Sequence, residues 1–229
     1  MCGIFGVIGA SNVNRMFGAL GARNTERGNR AFGALVLRDD MRAIHRFAGP
    51  FDAAKVPLDG ADAVLGHVRA PTHGSPDNLA EVHPFETRDV LLAHNGLLLN
   101  HDRFPQWRID TSTEVDSQVI AGGVQSHLDA GVAIAAAICR TIEMLDGQQA
   151  CWLWHKPAAQ LYLWRVMSPI YTGSDASSDS LFFSSIKSPG VETLLAEGML
   201  YRHDVSARAF RSLQAFAYYS PYRVNKGLH

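Results

Sequence analysis

The chain has 229 residues, 47% of them hydrophobic and 19% charged, and a formal net charge of −1. That near-neutral balance, with Lys and Arg spread along the chain, excludes nucleic acid and an anionic membrane as bulk electrostatic partners. The length buries a sizeable core as a single domain, expected over residues 1–229, and the sequence contains no repeat, low-complexity segment or linker.

Residues 4–8 are β-branched and aromatic and predict a strand ended by Gly9. Ser11 caps a short helix expected over 13–20 and stopped by Gly21. Residues 31–37 and 42–47 predict paired strands around Asp39-Asp40. Segments 63–68 and 90–93 predict two more strands, each running directly into a polar loop with Gly or His. Helices are expected over 113–128 and 132–145, the second with an apolar stripe at Ile134, Ile138, Ile142 and Leu145. Residues 149–154 and 161–165 predict a hairpin around Lys156-Pro157. Strands at 170–172 and 181–183, a short helix at 191–196 and an aromatic last strand within 210–222 complete the chain. Grouped strands, two helices, then more strands predict an α+β layered domain with antiparallel sheets rather than an alternating βαβ fold.

The three cysteines, Cys2, Cys139 and Cys151, make a poor disulfide framework, so a reducing, cytoplasmic compartment is expected. Cys139 and Cys151 lie in apolar surroundings and read as core residues. The opening MCGIFGVIGA has neither the basic flank nor the long apolar stretch of a signal peptide. The run 130–138 is too short to cross a bilayer.

Cys2 is different. Initiator methionine is usually trimmed before a small residue, which leaves a thiol and a free α-amine on one residue. Ordinary pKa values of about 8.5 for a thiol and about 7.7–8.0 for an α-amine leave both partly in the useful state near neutral pH. The amine, directly or through a water, takes the thiol proton, so one residue supplies nucleophile and base. Arg69, at a strand end, can form a bidentate pair with a small carboxylate. Asn95 and Gly96, following another strand, offer a side-chain amide and a backbone N–H to an oxyanion, although Asn-Gly alone is also a turn signal. Asp116, near a helix start, can bind an ammonium or simply complement the helix dipole. Together these groups meet the needs of glutamine hydrolysis. His67, His73, His83, His94 and His101 lack any HExxH spacing or matching carboxylate, so no metal site is expected.

In order and spacing, Cys2-Gly3-Ile4-Phe5-Gly6, Arg27-Gly28 followed by Gly33, the segment 66–74, His83-Pro84-Phe85, His94-Asn95-Gly96 and Asp116-Ser117-Gln118-Val119-Ile120 resemble the class II glutamine amidotransferases. The glutaminase domains of that family are N-terminal-nucleophile hydrolases. Weaker echoes at Asp146-Gly147, at Arg165 with Pro169 and at 182–185 extend the resemblance over most of the chain. It implies a four-layer αββα sandwich in which Cys2 is the nucleophile and its α-amine the base. By the same resemblance Asn95 and Gly96 form the oxyanion hole, and Arg69 with Thr72 holds the glutamine carboxylate. Asp116 would hold the glutamine ammonium, and His73 with His83-Pro84 would shape the pocket floor. Glutamine would give glutamate and ammonia through a thioester on Cys2, with no cofactor.

Two departures stand out. Members that make amino sugars carry an aromatic residue where Ala70 stands, and the segment 27–33 lacks the Asp-Ser pair often found before its last Gly. Members also usually continue into an isomerase, phosphoribosyltransferase or synthetase domain, whereas this sequence stops at His229. A stand-alone glutaminase passing ammonia to a separate synthase partner is therefore expected, with 204–229 as a docking segment. Two other readings stay open: an amidohydrolase on the same scaffold cleaving a γ-glutamyl or other linear amide, and a catalytically idle binding module. The acceptor and the oligomeric state are not legible.

Overall fold

The computed structural model describes residues 2–9, 11, 13–39, 41–70, 78–113 and 115–219. The elements are β1 (Gly3–Ile8), α1 (Val13–Asn24), β2 (Ala31–Arg38), β3 (Met41–Ala48), β4 (Ala63–Arg69), β5 (Phe85–Glu86), β6 (Val90–Leu98), α2 (Gln118–Asp129), α3 (Ile134–Met144), β7 (Gly147–His155), β8 (Gln160–Val166), β9 (Tyr171–Asp175), β10 (Ser180–Ser184), β11 (Thr193–Leu194), β12 (Met199–Asp204) and β13 (Ala209–Ala215).

They form two sheets, one ordered β11-β9-β10-β1-β4-β2-β3 and the other β13-β12-β8-β7-β6-β5. The ladders joining them are antiparallel. Side chains alternate across each strand, so each sheet has two faces to bury. Phe5 and Val7 of β1 pack with Phe17 and Leu20 of α1. Ile4, on the other face, meets Leu65, Leu91, Trp152 and Phe183 in the gap between the sheets. Leu92, Cys151 and Leu153 of the second sheet pack under Val119, Ile138 and Ile142 of α2 and α3. The result is helix, sheet, sheet, helices: the expected αββα sandwich. Trp152 ties the two sheets together through Nε1–H, which donates to Gly66 O at 3.2 Å. Among the described residues, no helix is long and apolar enough to cross a membrane.

Several elements differ from expectation. Helix α1 runs through Gly21 to Asn24, because Gly21 is a packing position: a Cβ there would sit 2.1 Å from the Phe51 ring. Helix α2 starts at Gln118 rather than 113. The preceding residues make turns, in which the Asp110 carboxylate takes the Ser112 N–H and Gln118 Oε1 takes the Asp110 N–H. Strand β6 continues to Leu98, so His94-Asn95-Gly96 lies inside a strand and not in a turn. The helix expected at 191–196 is absent; Thr193 and Leu194 instead pair with β9. The strand β12 has no counterpart among the expected elements.

Of the segment 204–229, residues 220–229 lie outside the described residues. Within the rest, Phe216 is buried in the core beneath α2 and α3, Tyr218 packs against that core, and Tyr219 is exposed.

Two glycines of α1 test this packing. Gly18→Ala meets nothing closer than 3.6 Å and should raise stability by about 1 kcal/mol, the helix-propensity difference. Gly21→Ala gains the same propensity but drives a methyl into Phe51, at an overpacking cost of about 1–3 kcal/mol, so it should be neutral or destabilising. Urea unfolding of the two variants checks the ordering; a Gly21→Ala protein as stable as Gly18→Ala contradicts the packing.

Candidate active site

Strand register assembles the site. Ile4 pairs with His67 and Gly3 with Val68, so Cys2 comes at the end of β1 beside the end of β4. Its thiol donates to Ala70 O at 3.6 Å, and Arg27 Nε–H donates to Cys2 O at 2.8 Å. Gly28 is required beneath this contact, since a Cβ there would lie 2.5 Å from Ala70 N. Burial pushes the Cys2 thiol pKa up; the Arg69 guanidinium opposes this and the Asp116 carboxylate adds to it. Both charges therefore act on the sulfur.

Arg69 is buried at the end of β4, with Nη2 donating to Glu81 Oε2 at 2.7 Å. The ion pair holds the guanidinium in place, and Asn78 Nδ2–H also donates to Glu81, at 3.3 Å. Next to it, the His67 and His83 rings lie against each other, centroids 4.0 Å apart and planes tilted by 36°. None of their four ring nitrogens has a partner among the described residues. Burial drives the His67 pKa down to about 3 and that of His83 well below its usual value. The chain passes close above Gly33, where a Cβ would meet His83 O at 1.9 Å. Arg46 clamps the same segment from β3, its Nε–H donating to Val82 O at 2.8 Å.

The second sheet supplies the rest. On the helix side of β6, His94 Nδ1 lies 2.8 Å from Ser117 Oγ and Nε2 lies 3.0 Å from Gln148 O. Burial lowers the His94 pKa. The neutral ring donates from Nε2 to the carbonyl and accepts at Nδ1 from the hydroxyl. Gly96 must be glycine because a Cβ would stand 1.9 Å from Gln148 O and 2.5 Å from His94 Nε2.

Asn95 faces the opposite way, into the gap, where Nδ2–H donates to Ser185 Oγ at 3.1 Å. On the edge of β6 away from β7, strand β5 covers only Leu91 and Leu92. Leu98 N–H leaves that edge to reach Asp116 Oδ2 at 2.7 Å, while Leu99 N–H turns the other way to Asp146 O. N–H directions alternate along a strand, so Gly96 N–H points to the same edge as Leu98 N–H, beside Asp116.

Cys2, Arg69, Asn95, Gly96 and Asp116 thus come together at one end of the gap. Thr72 and His73 lie outside the described residues. Sequence reading missed Glu81, which has no motif of its own, and Ser185, whose signal was confined to the faint similarity over 182–185. Among the described residues, no group of three or more His, Cys, Asp or Glu side chains could hold a metal ion.

No family model matches the chain. It is 30% identical over 196 residues to the glutamine–fructose-6-phosphate aminotransferase (isomerizing) of Halobacterium salinarum, covering 80% of this chain and 32% of that protein. It is 28% identical over 219 residues to the protein of the same name from Chlamydia trachomatis, covering 87% and 35%. The chain spans about a third of the length of these curated relatives. Its fold is that of the glutamine phosphoribosylpyrophosphate amidotransferase of B. subtilis, with a TM-score of 0.73 at 20% identity over 94% of this chain and 49% of the other. A glutamine aminotransferase class-II domain protein from Silicibacter pomeroyi matches 94% of this chain and 100% of its own, with a TM-score of 0.58 at 13% identity.

The buried imidazoles make stability depend on pH. His67, His83 and His94 all have folded pKa values below the usual 6.5. The unfolded chain therefore binds protons that the folded chain refuses, and stability falls as pH drops below 6.5; for His67 the loss continues to about pH 3. At pH 5.5 the protein should be less stable than at pH 7.5, with His67 alone removing about 1.4 kcal/mol and His83 and His94 adding to the loss in the same direction. Urea midpoints at the two pH values measure this; a flat profile would show that the rings are not held neutral.

Proposed function

We propose that this chain, a class II glutamine amidotransferase by sequence relationship and by fold, hydrolyses the side-chain amide of glutamine to glutamate and ammonia with Cys2 as nucleophile. What supports the reading is the convergence at one end of the inter-sheet gap of the Cys2 thiol, the buried Arg69, the Asn95 amide and Asp116.

Removal of Met1 frees the Cys2 α-amine. The amine takes the thiol proton and the sulfur attacks the amide carbon of glutamine. The carbonyl oxygen gains charge and is met by Asn95 Nδ2–H and Gly96 N–H. Collapse of the tetrahedral intermediate breaks the C–N bond; nitrogen leaves as ammonia with the proton returned by the amine, and a thioester remains on Cys2. Water, deprotonated by the same amine, attacks the thioester and releases glutamate. Arg69, held by Glu81, pairs with the substrate carboxylate, and Asp116 receives its ammonium. The family resemblance assigns Thr72 to the substrate carboxylate and His73 to the pocket floor. Ammonia passes to a synthase that supplies the acceptor; the relatives named as aminotransferases support an acceptor of that kind. A cytoplasmic location fits the three free cysteines.

Cys2→Ala should abolish glutamine hydrolysis without changing the melting temperature, and a glutamine-analogue electrophile should add one label, at Cys2. Intact mass of active material should lack Met1. Labelling at Cys139 or Cys151, or full activity with Met1 retained, contradicts the mechanism. A panel of γ-glutamyl and other linear amides separates glutamine hydrolysis from a broader amidohydrolase, which would turn over the panel faster than glutamine.

Asn95→Ala should lower kcat by about 10²–10³, the usual loss for one oxyanion donor, with KM changed far less. Turnover per folded molecule and melting temperature are measured on the same preparation. Lower stability with unchanged turnover would reduce Asn95 to a structural role.

A further inference from the structure

Ser185 is 1% exposed, just past the end of β10 where that strand pairs with β1. Its N–H donates to Ile4 O at 2.8 Å, and its Oγ accepts the Ile4 N–H at 3.1 Å. The same Oγ lies 3.1 Å from Asn95 Nδ2. One hydroxyl thus joins the strand that begins immediately after Cys2 to the amide on the facing sheet.

Asn95 is fully buried, and its Oδ1 has no partner among the described residues. The two ends of a carboxamide have nearly the same shape, so the side chain's neighbours decide which end faces which way. In the orientation seen, Ser185 accepts one Nδ2–H and the second remains for another acceptor. After a half-turn of the amide, Ser185 would donate its own proton to Oδ1, and both Nδ2 hydrogens would face the position now held by the unpartnered oxygen. In both, the hydroxyl holds the amide plane, so an N–H keeps a fixed direction toward an incoming oxygen. Without it the plane is free to turn, and the N–H loses that direction.

We propose that Ser185 is a positioning residue for the oxyanion donor: it fixes the Asn95 carboxamide with N–H available to the substrate oxygen and ties that amide to the strand carrying Cys2. The proposal rests on the glutamine-hydrolysis reading. It assigns Ser185 no contact with substrate; the hydroxyl also holds the Ile4 N–H, and the part of its effect that travels through Asn95 is what a double-mutant cycle isolates. Ser185→Ala should lower kcat about tenfold, equivalent to one hydrogen bond at the upper end of its usual worth. KM should stay within about twofold, because the ground-state amide oxygen carries little of the charge that the donor serves.

The test is a double-mutant cycle with Asn95→Ala, read in kcat, KM and melting temperature, with Ser185→Thr as the variant that keeps the hydroxyl. The expected result is a kcat loss in Ser185→Ala that disappears in the Asn95→Ala background, where no amide remains to be held, with recovery in Ser185→Thr to within about threefold of wild type. An equal fractional loss in both backgrounds, or an unchanged kcat in Ser185→Ala, would overturn the positioning role while leaving the hydrolysis reading intact. If the alanine variant does not fold, a threonine variant that folds with a kcat as low as that of Asn95→Ala overturns it too. A wild-type protein with Met1 removed that does not hydrolyse glutamine overturns the reading and the proposal together.

Discussion

The position of β1 between β4 and β10 is the constraint on which the site depends. A one-residue slip of a strand sends every side chain to the opposite face, and β1 cannot tolerate one. Phe5 and Val7 fill the core under α1, while Ile4 fills the gap between the sheets. Gly6 makes room for Phe183, whose ring would stand 2.2 Å from any Cβ there. A backbone bond from Ser185 N–H to Ile4 O and a bond from Ile4 N–H to the Ser185 hydroxyl lock the same register. Cys2 has little freedom of its own; it inherits its position from a strand that is over-determined on both faces and both edges.

The end of the gap is unusual in what it buries. Elsewhere between the sheets lie Leu65, Leu91, Trp152 and Phe183, but at the Cys2 end the same layer holds Arg69, Glu81, His67, His83 and Asn95. Buried charge is tolerated where it is paired, and Arg69 with Glu81 satisfies that condition. Imidazole is tolerated by staying neutral. The chain thus gives up apolar packing over one end of its sandwich for a set of polar groups that water would otherwise screen. In that setting a guanidinium or an amide dipole acts on a bound ligand with more force than it would at the surface.

The alternating and β-branched patterns of 4–8, 31–37 and 149–154 made the central strands legible, and the apolar stripe of α3 made that helix so. The motif residues of the site were legible because each carries a chemical reason for its type. What local signals could not show was tertiary. Asn95-Gly96 resembles a turn in isolation, yet pairing with β7 carries the strand straight through it. Residues 191–196 resemble a helix, yet β9 offers an open edge that claims Thr193 and Leu194. Gly21 resembles a stop until Phe51, from outside the helix, packs against it. Glu81 and Ser185 acquire meaning only from partners distant in sequence, Arg69 and Ile4, and a hydroxyl or carboxylate without a periodic neighbour announces nothing by itself.

The first strand of the chain lies in the interior of a sheet whose adjoining members are β4 and β10, and β10 is not complete until Ser184. During synthesis, therefore, β1 has no finished berth until the chain as far as Ser184 has been made. Through that interval β1, and Cys2 just ahead of it, lack one of their two flanking strands. Once β10 docks, Arg27 and the Ala70 carbonyl close around Cys2. The topology thus makes the enclosure of Cys2 a late event in assembly, because the strand that completes it is separated from β1 by most of the intervening fold.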